Sequence, residues 1–546
     1  MANIKIPRKQ FEKEIGKLDE KMQGRIALFG TPVESLTDSD LELEIFPNRP
    51  DLLSYHGFKR AFLAFLGKKT GLKDYKIHKP EKNYEVKIES SVKDVRPYTL
   101  CAIIKGLRLD DDKIKEIIDI QEKLHSTIGR KRKKVAIGIY PLDKIKLPIT
   151  YKALEPDKIK FLPLESTREM SGLEILQRHP TGKEYAHLLS GKTKFPIFID
   201  SDKKVLSMPP IINSENTGRV TDKTKEIFIE CSGHDFKTLE KCLNILVTTF
   251  AEMGGSIYSM KINLKELRES PSLKATKKKI SLKDTNKILG LDLSEKELRQ
   301  NLEKMGHNYS KGEVEIASWR TDILHEIDLI EDIAIAYGYE NFNPEIPKIS
   351  TIGEEDKKET FKRKISEILT GIGFLETSNF HLISKEDQFK NMGVNEKQIK
   401  ETLEILNSKT ENDFLRKNLS SYIMKTFSKN SDSEYPQKIF ETGRVFEEKE
   451  EIEESEKLAI GIAPGNFTDI KQVLEYLTKA LDIKVEVKEM EEIPSHLIDG
   501  RVGEIIFNGN KIGHLGEVHP KILKNWKIKM PVSILEIDLG ELFQKY

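Results

Sequence analysis

Apolar and polar positions alternate with different periods along the chain, and the changes of period mark its segments. Leu41, Leu43 and Ile45 alternate with acidic residues as a half-buried strand does, while residues 52–66 carry apolar side chains at helical spacing. Pro47 and Pro50 predict a turn between the two, and Gly67 a helix end. These elements predict a small α/β unit over residues 1–75, followed by the lysine-rich connection GKKTGLKDYKIHKPEKN. Over 76–265 the short strand-like pieces YTLCAIIKGL, KVAIGIY, PIFID, VLSMPPIIN and EIFIEC precede a long helical pattern at 236–253, which predicts an α+β domain. The polar stretch ELRESPSLKATKKK, broken by Pro271, predicts a linker. Beyond it SLKDTNKILG and SEKELRQNLEKMGH show helical apolar stripes with Ser281 and Ser294 at N-cap positions; with the strand VEIAS and one more helix they predict a helix-rich module over 275–350. In 355–546 the strands FLETSNFHLI, KIFETGRVF, LAIGIAP, EIIFNGNKIGHLGEV and SILEIDL, with a helix over 469–481, predict an antiparallel sheet with helices packed on it. The charge run EEKEEIEESEK predicts a solvated loop between two of those strands. The fold class is α+β and multidomain.

Composition sets the scale. A chain of 546 residues predicts about three to five units, and 38% hydrophobic against 33% charged residues supplies several cores under a charged surface. Ninety Lys plus Arg balance 89 Asp plus Glu, so any surface for nucleic acid must be local. The run RKRKK at 130–134 reads either as such a phosphate-neutralising patch or as a solvated loop. Cys101, Cys231 and Cys242 form neither a C-x-x-C pair nor an even framework, which predicts reduced, buried thiols. The N-terminus lacks the apolar run of a signal peptide, and no apolar stretch reaches the roughly 18 residues of a membrane span. These features exclude a secreted disulfide scaffold and predict a soluble cytoplasmic protein without a membrane partner.

The segment WRTDILHEIDLIEDIAIAYGYENF carries the densest chemistry. Ile323, Ile327, Ile330, Ala334 and Tyr337 predict one buried helical stripe, and Asp328, Glu331 and Asp332 fall at i, i+3 and i+4 on the next. Asp322 must reach in from the preceding turn. Four crowded carboxylates repel unless a cation joins them, and oxygen ligands suit Mg²⁺; an ordinary solvated acidic face is the other reading.

R-T-D-I followed by D-L-I-E-D-I-A-x-x-Y-G-Y resembles the Mg²⁺-binding module of phenylalanyl-tRNA synthetase β subunits. The resemblance implies that Asp322, Asp328, Glu331 and Asp332 are Mg²⁺ ligands, the last being Asp where Glu is common. It extends over LELEIFPNRPDLLSYHGFKRAFLAFLG near the start and GRVGEIIFNGNKIGHLGEVHPKIL with PVSILEIDL near the end, in the family's order. VLSMPPIINSENTGRVTDKTKEIFIECSGHD resembles the archaeal and eukaryotic form of the family's editing domain, which hydrolyses tyrosine mischarged onto phenylalanine tRNA. Asn213, Thr224 and Glu230 match polar positions there, and equally suit a framework of turns and caps. The module at 275–350 is then winged-helix-like, and the last domain resembles a class II synthetase fold without a working site; Arg444 in ETGRVF sits near the ATP-contacting arginine of active relatives, but its surroundings do not follow that pattern. The resemblance implies an α-subunit partner in an (αβ)₂ heterotetramer, tRNAPhe as substrate, ATP bound by α and Mg²⁺ on this chain. A tRNA-binding scaffold without editing and a free-standing editing hydrolase remain as alternatives.

Overall fold

In the computed structural model, which describes residues 2–263, 267–347, 349–394 and 402–543, the alternating Leu41, Leu43 and Ile45 lie at the centre of the first sheet. Their strand, Asp40–Ile45, runs antiparallel to Ala2–Pro7 on one side and Val33–Leu36 on the other. All three side chains share a core with the helix Tyr55–Phe65. That helix starts later than the apolar spacing suggests because Ser54 caps it, accepting from Gly57 N, while Pro50–Leu52 forms a separate tight turn. Gly67, at φ +75°, ends it.

The chain divides into two units, Met1–Ile346 and Pro347–Tyr546. The main sheet of the first has eleven strands. Ser256–Asn263, Tyr98–Lys105, Ile227–Gly233 and Val135–Pro141 are neighbours in that order at one end, and Phe195–Ile199, Val205–Met208 and Ile212–Asn213 close the other. Ile227–Gly233 is buried along its whole length because both faces of the sheet are covered. Ile227, Ile229 and Cys231 enter the core beneath the helix Phe236–Glu252, whereas Phe228 joins a second core with Tyr140, Tyr151 and Phe198. By strand parity Glu230 lies on the Phe228 side. All three cysteines are buried and free.

Two differences from the sequence reading have physical causes. Much of the expected linker is strand: Leu267–Ser270 pairs with Ser256–Asn263, and Thr276–Lys279 with Glu313–Ile316, leaving 271–275 as the connection; Glu266 lies outside the described residues. Edge strands are recruited through their backbone groups and need no apolar alternation. The helix Asp111–Ser126, passed over beneath its charges, buries Ile117, Ile120 and Leu124 and is capped by Asp110. In the small sheet-and-helix module, Ser281 and Ser294 cap Leu282–Leu289 and Glu295–Lys304 as predicted.

In the second unit a seven-stranded sheet runs Leu375–Glu376, Gln437–Glu448, Ile452–Ala463, Ser533–Asp538, Asn510–Val518, Leu497–Phe507, Glu486–Lys488. Only its first pair is parallel. Helices Lys357–Gly371 and Phe467–Ala480 belong to the core on one face, and Ser420–Lys429 to that on the other. The acidic run at 447–457 is not a loop. It extends a hairpin paired out to Glu448 and Ile452, its charges met by Arg444 with Glu454 and Glu456 and by Lys449 with Glu453. No helix among the described residues is long and apolar enough to cross a membrane.

The side chains of Arg416 and Glu441, each 2% exposed, pair at 2.5 Å, and Arg416 Nε also donates to Arg444 O. Removing one member of such a pair strands the other charge. Arg416→Met should destabilise the protein by about 3–5 kcal/mol, and adding Glu441→Leu should recover most of it. Urea denaturation of both variants is the measurement.

Candidate functional site

Beneath the second face of the large sheet lies a cavity of 210 Å³, the scale of one amino-acid side chain. Its lining includes Glu230, Asn213, Ser207, His179, His125 and Arg132. Glu230 comes from Ile227–Gly233, next to the edge at one end of the sheet, and Asn213 from the short strand Ile212–Asn213 at the other, so the sheet's opposite ends meet here. The candidates Glu230 and Asn213 are thus brought together.

Glu230, 1% exposed, is the centre of the site. Burial pushes its carboxyl up to about 8, against the opposing pull of Arg96, Tyr140 and Ser232. The Tyr140 hydroxyl lies 3.3 Å from both Glu230 Oε1 and Asn213 Oδ1. With one proton it can donate to only one of them; a neutral Glu230 supplies the second, so the three groups form a consistent chain at neutral pH. Glu230 Oε2 and Ser207 Oγ are buried without a well-formed hydrogen bond among the described residues. Gly138 makes this approach possible. It stands opposite Glu230 in the ladder, and a Cβ there would collide with the Tyr140 hydroxyl and lie 2.6 Å from Glu230 Oε1.

Much of the charge on the rest of the wall is paired. Arg132 donates to both oxygens of Glu122 at 3.1 and 3.2 Å and to Ile211 O at 2.8 Å, and stacks over Tyr185. Although burial works against ionisation, His125 and Arg132 hold the Glu122 carboxyl down at about 2. His125 Nε2 accepts from Ile137 N, so Nδ1 carries the proton toward Glu122. His179 is arranged differently: Nε2 lies 3.1 Å from Leu164 O and must donate to it, which leaves Nδ1 as a buried acceptor with no partner among the described residues.

The basic run thus splits: Arg132 turns inward while Arg130, Lys131 and Lys133 stay exposed. Thr224 does not reach the cavity; its Oγ1 accepts from Thr221 N at 3.0 Å and closes a turn before the strand. Ser207 lies in the stretch that resembles the editing domain, whereas Gly138, Tyr140 and His179 lie outside it, where only the glycine inside the apolar run KVAIGIY hints at a close approach.

The four acids expected to hold magnesium are dispersed. Arg320 donates to Asp322 at 2.9 and 2.7 Å and to Asp332 at 3.1 and 2.8 Å, and His307 Nε2 lies 2.7 Å from Asp332. Asp328 turns back on its own helix, Glu326–Tyr337, accepting from Leu324 N and His325 N at 2.7 Å, and Glu331 is exposed. The buried face is broader than the expected stripe: Ile330 and Ala334 are buried as expected, Leu329, Ile333 and Ala336 are buried beside them, and of the expected residues Ile327 is 47% exposed. A residue on the core side of the helix, Asp332, therefore needs a buried cation, and Arg320 provides it. Among the described residues no group of three or more His, Cys, Asp or Glu side chains is placed to hold a metal ion.

A carboxyl whose folded value is raised holds its proton more tightly in the native state. That contribution is complete below the ordinary value of 4.5 and is lost as the pH climbs to about 8. The melting temperature of Glu230→Gln should therefore gain on that of the unmodified chain between pH 5 and pH 8 and then run parallel. A gap that does not change with pH would show that Glu230 is already ionised at pH 5.

Family models match the chain in three places: a B3/4 domain over 102–246, a tRNA synthetase B5 domain over 278–339, and the phenylalanyl tRNA synthetase beta chain CLM domain over 343–539. The chain is 42% identical over 509 residues to the phenylalanine–tRNA ligase beta subunit of Pyrococcus horikoshii, covering 91% of this chain and 90% of the relative. It is 37% identical over 544 residues to that of Archaeoglobus fulgidus, covering 98% and 97%. A crystal structure of an N-terminal fragment of the Pyrococcus horikoshii phenylalanyl-tRNA synthetase beta subunit superposes with a TM-score of 0.59 at 38% identity, over 62% of this chain and 99% of the fragment. The chain belongs to the family of phenylalanine–tRNA ligase β subunits.

Proposed function

We propose that this chain serves as the β subunit of a cytoplasmic (αβ)₂ phenylalanine–tRNA ligase, and that its own cavity hydrolyses tyrosine wrongly attached to tRNAPhe. The α subunit binds ATP and performs ATP + L-phenylalanine + tRNAPhe = AMP + diphosphate + L-phenylalanyl-tRNAPhe. The observation that carries the editing reading is the neutral, half-satisfied carboxyl of Glu230 in a cavity of side-chain size. A tyrosine hydroxyl gives Glu230 the partner it lacks, whereas a phenylalanine ring leaves that polar group unpaired. The unpartnered Nδ1 of His179 is the base available to take a proton from a water attacking the ester carbonyl; the tRNA ribose oxygen leaves with a proton, and free tyrosine results.

Support for a separate synthetic subunit comes from the second unit. It exposes Leu375 by 69%, Phe380 by 85% and Ile352 by 99%, apolar surface suited to a partner. The Arg444 guanidinium, near the expected ATP-contacting position, is engaged by Glu454 and Glu456, and Arg416 is sealed against Glu441. The sheet resembles a class II synthetase fold whose arginines have taken structural work, so β free of α should give no phenylalanine-dependent pyrophosphate exchange.

A four-carboxylate magnesium cage on Asp322, Asp328, Glu331 and Asp332 does not fit the side chains as placed, since Arg320 already neutralises two of them. The magnesium reading is retained for Asp328 and Glu331, a pair able to hold a largely hydrated ion. Asp328→Asn with Glu331→Gln should abolish Mn²⁺ binding measured by electron paramagnetic resonance, and Asp322→Asn should leave it in place. The reverse pattern returns the ion to Asp322.

In the tetramer, Glu230→Ala should slow Tyr-tRNA deacylation by about tenfold or more while Phe-tRNA synthesis is nearly unchanged. Gly138→Ala, whose methyl group fills the same space, should act likewise. Equal loss of both activities would point to misfolding, and unimpaired deacylation would remove the cavity from the reaction.

A further inference from the structure

We infer that a second cavity, beside Arg60, binds a phosphate group; this does not rest on the hydrolytic reading of Glu230. The cavity measures 520 Å³ and lies between the helix Tyr55–Phe65, the lysine-rich connection after it and the segment 305–320. Arg49, Lys59, Arg60, Lys69, Lys73 and Arg320 line it against two acids, Asp51 and Glu252. Both acids are already satisfied. Arg49 clasps Asp51 through two hydrogen bonds of 2.9 Å, and Glu252 accepts from Lys73 Nζ at 2.6 Å and from the Tyr75 hydroxyl. Lys59 is bound to Glu14, and Arg320 to Asp322 and Asp332. Arg60 and Lys69 make no ion pair among the described residues.

Arg60 is fixed in place with one donor edge free. Its guanidinium carbon sits 4.3 Å over the Trp319 ring and Nη1 donates to the Tyr75 hydroxyl at 3.1 Å, while Nε and Nη2 are shielded from solvent without a hydrogen-bond partner among the described residues. Those two nitrogens point the same way and match two oxygens of one phosphate. Leaving such donors buried and unmatched is costly, so the arrangement calls for an acceptor. Arg60 and Lys69, the two lining cations that make no ion pair among the described residues, match a dianionic phosphate better than a single carboxylate. Exposed Lys69 stands at the rim, where it meets an incoming anion first. The shared chemistry is that of a phosphate ester, either in a free compound or in an RNA backbone.

The full-length chain can be titrated with sodium pyrophosphate and, separately, with a tRNA while its emission is followed; it has two tryptophans, and Trp319 lies directly under Arg60. Arg60→Met should weaken binding of at least one probe by about tenfold or more. Lys69→Met should weaken it by about two- to threefold. Loss confined to pyrophosphate assigns the site to a free phosphate compound. Weaker tRNA binding with a shallower salt dependence assigns it to a backbone phosphate. If the unmodified chain binds neither probe, or both variants bind both as it does, the inference is overturned. Where Arg60→Met does not fold because Trp319 loses its cover, Arg60→Lys decides instead: it keeps a cation on the ring, lacks the two-donor edge, and should show the same loss.

Discussion

A strand paired on both sides in a sheet covered on both faces has no wet side on which to place a polar residue. Ile227–Gly233 is such a strand, and Glu230 is on it. The arrangement around the first cavity follows from accommodating that carboxyl. Gly138 gives up its side chain opposite, Tyr140 brings a hydroxyl from the neighbouring strand, and Asn213 arrives from the far end of the sheet to complete the chain of hydrogen bonds. The helix Phe236–Glu252 and the N-terminal sheet matter to the site because they seal the opposite face and keep the strand dry.

How much of this was legible in the sequence depends on the range of each interaction. Local signals transferred well: Ser281 and Ser294 cap their helices, Gly67 ends one, and the alternation of Leu41, Leu43 and Ile45 gives a central strand. Signals that depend on what a segment pairs with did not. The polar residues of 267–279 hid two edge strands, and the acidic run at 447–457 is a hairpin because its charges meet across the ladder. The candidate site divides along the same line. Glu230 and Asn213 lie in one resembling stretch and do meet, while Thr224, from the same stretch, only closes a turn. His179 and Tyr140 come from distant segments, and nothing local announces them.

Asp322, Asp328, Glu331 and Asp332 show what spacing leaves open. A separation of i, i+3 and i+4 says which side chains lie on adjacent rows of a helix, but which row faces the core depends on the whole module. Once Leu329 and Ile333 turn inward, Asp332 turns with them, and the nearest available cation is the guanidinium of Arg320, anchored also to Met305 O and Asp322. Although burial works against ionisation, Arg320 and His307 together hold the Asp332 carboxyl below its ordinary value.

This chain therefore solves one problem, the buried carboxyl, in several ways. Arg416 closes over Glu441, and Arg320 joins Asp322 to Asp332. Glu536 is held at about 2 against its burial by Lys457 at 3.0 Å and by Ser420, whose backbone and side chain both donate to it. Asp322, Asp332 and Glu536 are held in their charged form by partners that do not titrate near neutrality, so each serves as a structural element. Glu230 has no such partner: Arg96 spends its donors on Ser232 and on Arg132 O, and reaches Glu230 only through the field. The proton takes the place of the cation, and a proton, unlike a guanidinium, can be given up or redirected toward an incoming hydroxyl. That difference in the neutralising species separates the carboxyl proposed to read a ligand from those that hold the fold.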